Sequence, residues 1–152
     1  MKRKSFSLPL IASLAILCFS SCSLPRWNLK VDVDHPIETD RHGIQVQDIL
    51  TGLGPEVTPS SEVTLDYKVS LESGDLVDSS YDRGLPITFR MGEAPILGWE
   101  YALLGMKPGG RRVATLPAYQ AYGEQGVEGL IPPMANLICL FELLEVAEPR
   151  QP

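Results

Sequence analysis

Tyr119-Gln-Ala-Tyr-Gly-Glu-Gln-Gly-Val-Glu-Gly-Leu-Ile-Pro-Pro133 decides how the rest of the chain is read. The stretch holds two tyrosines, three glycines and a Pro-Pro pair. Glycine and proline at this density dictate backbone conformation, so the segment is a shaped loop. Loops this long are usually functional or disordered. Tyr119, Tyr122, Leu130 and Ile131 give it too much apolar surface for a solvated linker. The loop is expected to fold over an apolar pocket and to form one of its walls.

Strands flank it. Arg111 to Leu116 precedes the loop, and the apolar run from Asn136 to Val146 follows. Upstream, Val63, Leu65, Tyr67, Val69 and Leu71 alternate with polar residues, the period of a half-buried strand. Glu72-Ser-Gly-Asp75 turns that strand back into Leu76–Ser80, and Pro86 to Met91 is another short alternating run. Ile44, Val46 and Asp48–Leu50 start the domain near Gly43. Trp99, Leu103 and Met106 lie at helical spacing, and Gly105 with Pro108-Gly-Gly110 ends a short helix there. About five mostly antiparallel strands with one short covering helix make an α+β domain.

The amino terminus speaks to location. Lys2, Arg3 and Lys4 precede an apolar run from Leu8 to Phe19, and Ser20-Ser21-Cys22 follows. This is a secretory signal peptide, too short for a stable membrane span. Its end resembles the lipobox of bacterial lipoproteins, although Phe19 replaces the usual Leu. The resemblance implies cleavage before Cys22 and acylation of that cysteine; Ser23, in place of the inner-membrane Asp signal, points to the outer membrane. The expected organisation is signal peptide 1–21, lipid-anchored tether 22–42, domain 43–147 and tail 148–152. Cys18 leaves with the signal and Cys22 is acylated, so Cys139 alone remains in the domain. A disulfide framework is excluded, and Cys139 reads as a buried inert thiol.

Several chemistries find no support. A net charge of -6 lacks the basic face that nucleic acid needs. His35 and His42 stand alone, so no metal site is expected. Gly52 and Gly54 lack the lysine and helix of a phosphate loop, and no Ser, His and Asp are placed as a triad. Nothing calls for a cofactor. What remains is an apolar pocket from Tyr67, Phe89, Ile96, Trp99, Tyr122 and Ile131, with Asp78 as its polar group. Each has a plainer reading: Trp99 as core, Tyr67 as cross-strand packing, Tyr122 as a corner tyrosine tying down its own loop, Asp78 as a turn acceptor.

Val77-Asp78-Ser79-Ser80, Gly98-Trp99-Glu100, Ala121-Tyr122-Gly123 and Leu130-Ile131-Pro132-Pro133 occur in the order and spacing of FKBP-type peptidyl-prolyl isomerases. The resemblance runs from Gly43 to Val146. It implies an antiparallel sheet wrapped on a short helix, isomerisation of X-Pro bonds in exported polypeptides, and inhibition by macrolides such as rapamycin. Carried over by position, Asp78, Tyr122 and Trp99 take the catalytic places. Tyr67, Val77, Arg83, Ile87, Phe89, Ile96, Ile131 and Cys139 surround the substrate. Trp99 is the implied floor, with the Ile96 amide and the Tyr122 hydroxyl as donors to ligand carbonyls. Val77, Ile87 and Cys139 stand at places where active members carry aromatics, and Val127 replaces a loop His. A wider cup and slower turnover are expected, since a lost aromatic contact costs on the order of 1–3 kcal/mol. The alternative is an FKBP-like lipoprotein that binds peptides or partner proteins without turnover.

Overall fold

The computed structural model describes residues 35–148. The signal peptide, Cys22, the start of the tether and the end of the tail lie outside them. In chain order the elements are β1 (Glu38–Thr39), β2 (Gln45–Leu50), β3 (Glu62–Leu71), β4 (Leu76–Ser79), α1 (Ser80–Arg83), β5 (Ile87–Arg90), α2 (Leu97–Ala102), β6 (Arg111–Leu116) and β7 (Leu137–Ala147), with a 3-10 turn at Ala118–Gln120.

The strands form one antiparallel sheet of seven, ordered β1-β2-β6-β7-β3-β4. β3 forks: Glu62–Leu65 pair with β5, and Lys68–Ser70 pair with β4. Six of the seven strands fall on runs the sequence marks; β1, of only two residues, does not, and a second short helix, α1, follows β4. The sheet also begins inside the stretch read as tether. Asp40 Oδ1 accepts the amides of His42 and Ile44 at 2.8 and 2.9 Å, and the His42 ring stacks on Tyr101 at 3.8 Å. These contacts fasten β1 and its turn to the domain, which no hydrophobic pattern signals.

β7 lies between β3 and β6 and presents Leu137, Cys139, Phe141 and Leu143 inward, all fully buried. Val63, Leu65, Tyr67 and Val69 of β3 and Ala114 and Leu116 of β6 share that face. α2 lies over it and buries Trp99 and Ala102. A fully buried side chain of this size stabilises by about 1.5–3 kcal/mol, so this layer carries most of the fold. The approach of α2 requires Gly98: a Cβ there would stand 3.0 Å from Leu116 and from the Gln120 carbonyl.

Candidate functional site

Trp99 is the pivot. It is 1% exposed, and its ring packs edge-on against Tyr67 (centroids 4.8 Å apart) and Phe141 (5.1 Å), with Phe89 tilted at 6.2 Å. Such aromatic pairs add about 0.5–1.5 kcal/mol each beyond area burial. Its indole N–H makes no hydrogen bond of ordinary geometry, although its polar edge acts on the Cys139 thiol. Burial pushes that thiol up to about 12, so it stays protonated at neutral pH and is no nucleophile.

Above the indole is a cavity of about 60 Å³ lined by Tyr67, Val69, Val77, Asp78, Pro95, Ile96, Trp99 and Tyr122. Six of these are residues the sequence reading named; Val69 and Pro95 are additions. Val69 was legible as the next inward residue of β3 after Tyr67. Val77 lines the cup and Cys139 does not; Phe141, which sequence reasoning missed, supports the indole from β7.

One wall is polar. The Tyr67 hydroxyl donates to Asp78 Oδ2 at 2.6 Å and accepts from Arg83 Nη2. Arg83 Nη1 donates to Asp78 Oδ1, which also receives the Ser79 amide at 2.8 Å. Burial alone would raise the Asp78 pKa, but the donors Tyr67, Ser79 N–H and Arg83 outweigh it and hold the carboxyl below its ordinary value. Burial, then the Asp78 carboxylate, pushes the Tyr67 phenol up. At neutral pH the wall is thus a phenol, a carboxylate and a guanidinium tied in a ring. The ring is set by the Ser79-Ser80 pair. The Ser79 hydroxyl caps α1, which carries Arg83, by accepting from Asp82 N at 3.3 Å. The buried Ser80 hydroxyl accepts from the Tyr67 amide at 2.9 Å and donates to Asp66 at 2.8 Å.

The opposite rim offers donors. The Ile96 amide stands at the start of α2 and has no hydrogen-bond partner among the described residues. Its turn is pinned by Glu100, whose carboxylate accepts the Gly92 and Ala94 amides at 2.7 Å each. Tyr122 is 40% exposed, with no hydrogen bond at its hydroxyl among the described residues; burial, then the Asp78 charge, raises its pKa. The corner-tyrosine role falls instead to Tyr119, whose hydroxyl donates to the His42 carbonyl at 2.8 Å.

The glycine-rich loop has the shape its composition demands. Val127 and Ile131 exchange two backbone hydrogen bonds of 2.8 Å, and Met134 N–H donates to the Gly123 carbonyl at 2.9 Å. Gly126 has φ +60, and a Cβ on it would stand 2.2 Å from the Ile131 carbonyl, so no other residue fits. Ile131, the buried residue of this flap, lies outside the cup lining, as does Ile87, which packs on the core from β5. Phe89 flanks the indole, Cys139 lies in the core beside it, and Arg83 reaches the cup through Asp78 and Tyr67.

The family model described as FKBP-type peptidyl-prolyl cis-trans isomerase matches residues 54–144. The chain belongs to that family. The FK506-binding protein of Neisseria meningitidis serogroup B is 41% identical over 107 residues, covering 70% of this chain and 98% of that protein. The peptidyl-prolyl cis-trans isomerase Mip of Coxiella burnetii is 40% identical over 110 residues, 72% of this chain and 47% of Mip. Among solved structures, FkpA from Escherichia coli superposes with a TM-score of 0.68 at 37% identity, covering 74% of this chain and 52% of FkpA. The FKBP-type isomerase described here keeps the whole cup within the matched span, and its α+β fold is that of the family.

Proposed function

We propose that this isomerase turns X-Pro bonds in the cup over Trp99 and does so on exported polypeptides, held to the bacterial envelope through lipid on Cys22. One observation carries the first part: Tyr67, Val77, Asp78, Ile96, Trp99 and Tyr122, drawn from four separate segments, line a single cavity. The barrier to rotation is about 18–20 kcal/mol and comes from amide resonance, so no nucleophile is required. A planar amide is more polar than its twisted form. An apolar recess over the indole therefore favours the twist relative to water. The Ile96 amide and the Tyr122 hydroxyl, both free, are the donors available to the carbonyls beside the ring. Only the part of those bonds that strengthens during rotation speeds the reaction. Asp78, held by Tyr67 and Arg83, gives the wall a fixed charge. Cys139, Ile87 and Phe89 act by supporting the indole and the sheet behind it.

The test is a protease-coupled isomerisation assay with and without rapamycin. Acceleration over the uncatalysed tens to hundreds of seconds, abolished by rapamycin, is the expected result. Acceleration that rapamycin leaves untouched would place the chemistry outside the cup.

The charged n-region, apolar run and Cys22 support the envelope assignment, and two or more acyl chains, at about 0.8 kcal/mol per buried methylene, hold firmly. In a bacterial host, Cys22→Ser should move the protein from the membrane to the soluble fraction. A variant that still sediments with membranes rules out the anchor.

A further inference from the structure

Beside the cup lies a second, larger recess of about 670 Å³ that the reaction as described does not use. Leu71 and Leu76 of the β3–β4 hairpin form one wall, and the flap from Val127 to Pro133 forms the other. Leu76 and Leu130 remain 45% and 49% exposed there. Its charged lining residues are Asp75 and Glu128, both exposed acids; no lysine or arginine lines it. Asp75 Oδ2 accepts the Ser73 hydroxyl at 2.7 Å, which fixes the carboxylate without neutralising it.

The two are lined by different residues of the same two segments. Leu76 lines the recess while its neighbours Val77 and Asp78 line the cup, and the loop from Tyr119 to Pro133 contributes Tyr122 to the cup and Gln125 to the recess. The cup, at about 60 Å³, takes one small ring, so residues flanking that ring lie outside it. β4 is also the terminal strand of its sheet, which leaves one backbone edge open to an extended chain.

We propose that this groove binds the stretch of polypeptide next to the isomerised bond and selects sequences that combine apolar with basic residues. The inference rests on the cup being the isomerase site. Apolar side chains cover Leu71, Leu76 and Leu130, and lysine or arginine meets Asp75 and Glu128. The occupant is an extended chain: the recess is lined by residues next in sequence to those of the cup, borders a strand edge and has room for several residues.

The test uses the full-length chain and three peptides sharing an Ala-Leu-Pro-Phe core, extended on both sides by Lys, Gln or Glu, with exchange followed by NMR. At low salt, kcat/KM for the Lys peptide should exceed that for the Glu peptide about five- to twentyfold, with Gln between, as expected for two exposed pairs. High salt should shrink the ratio. Asp75→Asn with Glu128→Gln should shrink it likewise. Glu38→Gln with Glu145→Gln, a charge loss elsewhere, should leave the ratio nearly intact. A Lys-to-Glu ratio of one, with the Gln peptide still turned over, overturns the groove and spares the isomerase reading. So does a ratio that falls equally in both double variants, which makes it an effect of net charge. Absence of turnover on all three peptides removes the cup reading and the groove with it.

Discussion

Trp99→Leu should lower kcat/KM on an X-Pro peptide at least tenfold and lower the melting temperature on the order of 10–20 °C, a double loss that separates it from substitutions at the rim. The indole is 1% exposed and touches Tyr67, Phe89 and Phe141, so truncation leaves a void on the core side as well as the cup side. Large-to-small changes at such positions cost about 2–5 kcal/mol, and leucine, which refills part of the volume, belongs in the lower half of that range. Trp99 is thus at once a core residue and part of the cup's lining. Sequence alone leads one to expect ligand affinity to suffer far more than stability; the packing around the ring makes the two comparable. They are separated by measuring rapamycin affinity by calorimetry well below the variant's unfolding transition. A dissociation constant equal to that of the natural protein, with the thermal loss present, would mean that the indole supports the fold and is not the floor.

The parts of the molecule legible in the sequence are those governed by a single period. β3 and β7 show themselves because every second residue meets the same apolar layer, and the Gly-Pro density of the flap shows itself because each glycine relieves a local backbone conflict. Three of the four short motifs place the cup, since half of its lining falls in them. What the sequence does not reveal depends on pairs distant in the chain. Asp66 breaks the alternation of β3 by being buried, and the reason is Ser80, fourteen residues away, whose hydroxyl reaches it. Tyr119 and Tyr122 look equivalent three residues apart, yet one ties its loop to His42 and the other is left with a free hydroxyl. Phe141 was one apolar residue of an apolar strand; only the register of β7 against β3, with Tyr67 opposite Phe141, makes it the prop beneath the indole. Counting the aromatics absent at Val77, Ile87 and Cys139 likewise says nothing about Phe141, an aromatic supplied from behind.

β6 carries the inversion with the largest energetic consequence. Its burial alternates so that Arg112, Ala114 and Leu116 face inward while Val113 is half-exposed. The Arg112 guanidinium crosses to β2 and grips Asp48 with both forks, Nε to Oδ1 at 2.6 Å and Nη2 to Oδ2 at 3.0 Å. Its third nitrogen donates to the carbonyls of Ala102 and Leu104, each at 2.9 Å, at the end of α2. One side chain therefore fastens the helix that carries Trp99 to the far side of the sheet and satisfies two carbonyls that the six-residue helix leaves without partners. Arg112→Ala removes all four bonds and strands a carboxylate and two carbonyls. Breaking a buried pair from one side costs about 3–5 kcal/mol. Asp48 keeps 37% of its side chain in solvent, which lowers the expected loss to about 2–4 kcal/mol. Arg112→Lys retains the charge but cannot reproduce the fork, so its loss should fall between that of alanine and the natural residue. Both are read by urea unfolding, where an unchanged slope with a lowered midpoint marks a stability effect. Isomerase activity in the folded fraction should fall less than in Trp99→Leu, because no atom of Arg112 lines the cup. A stability loss below about 0.5 kcal/mol in Arg112→Ala would mean that water replaces the guanidinium without cost, and that packing alone holds α2 on the sheet.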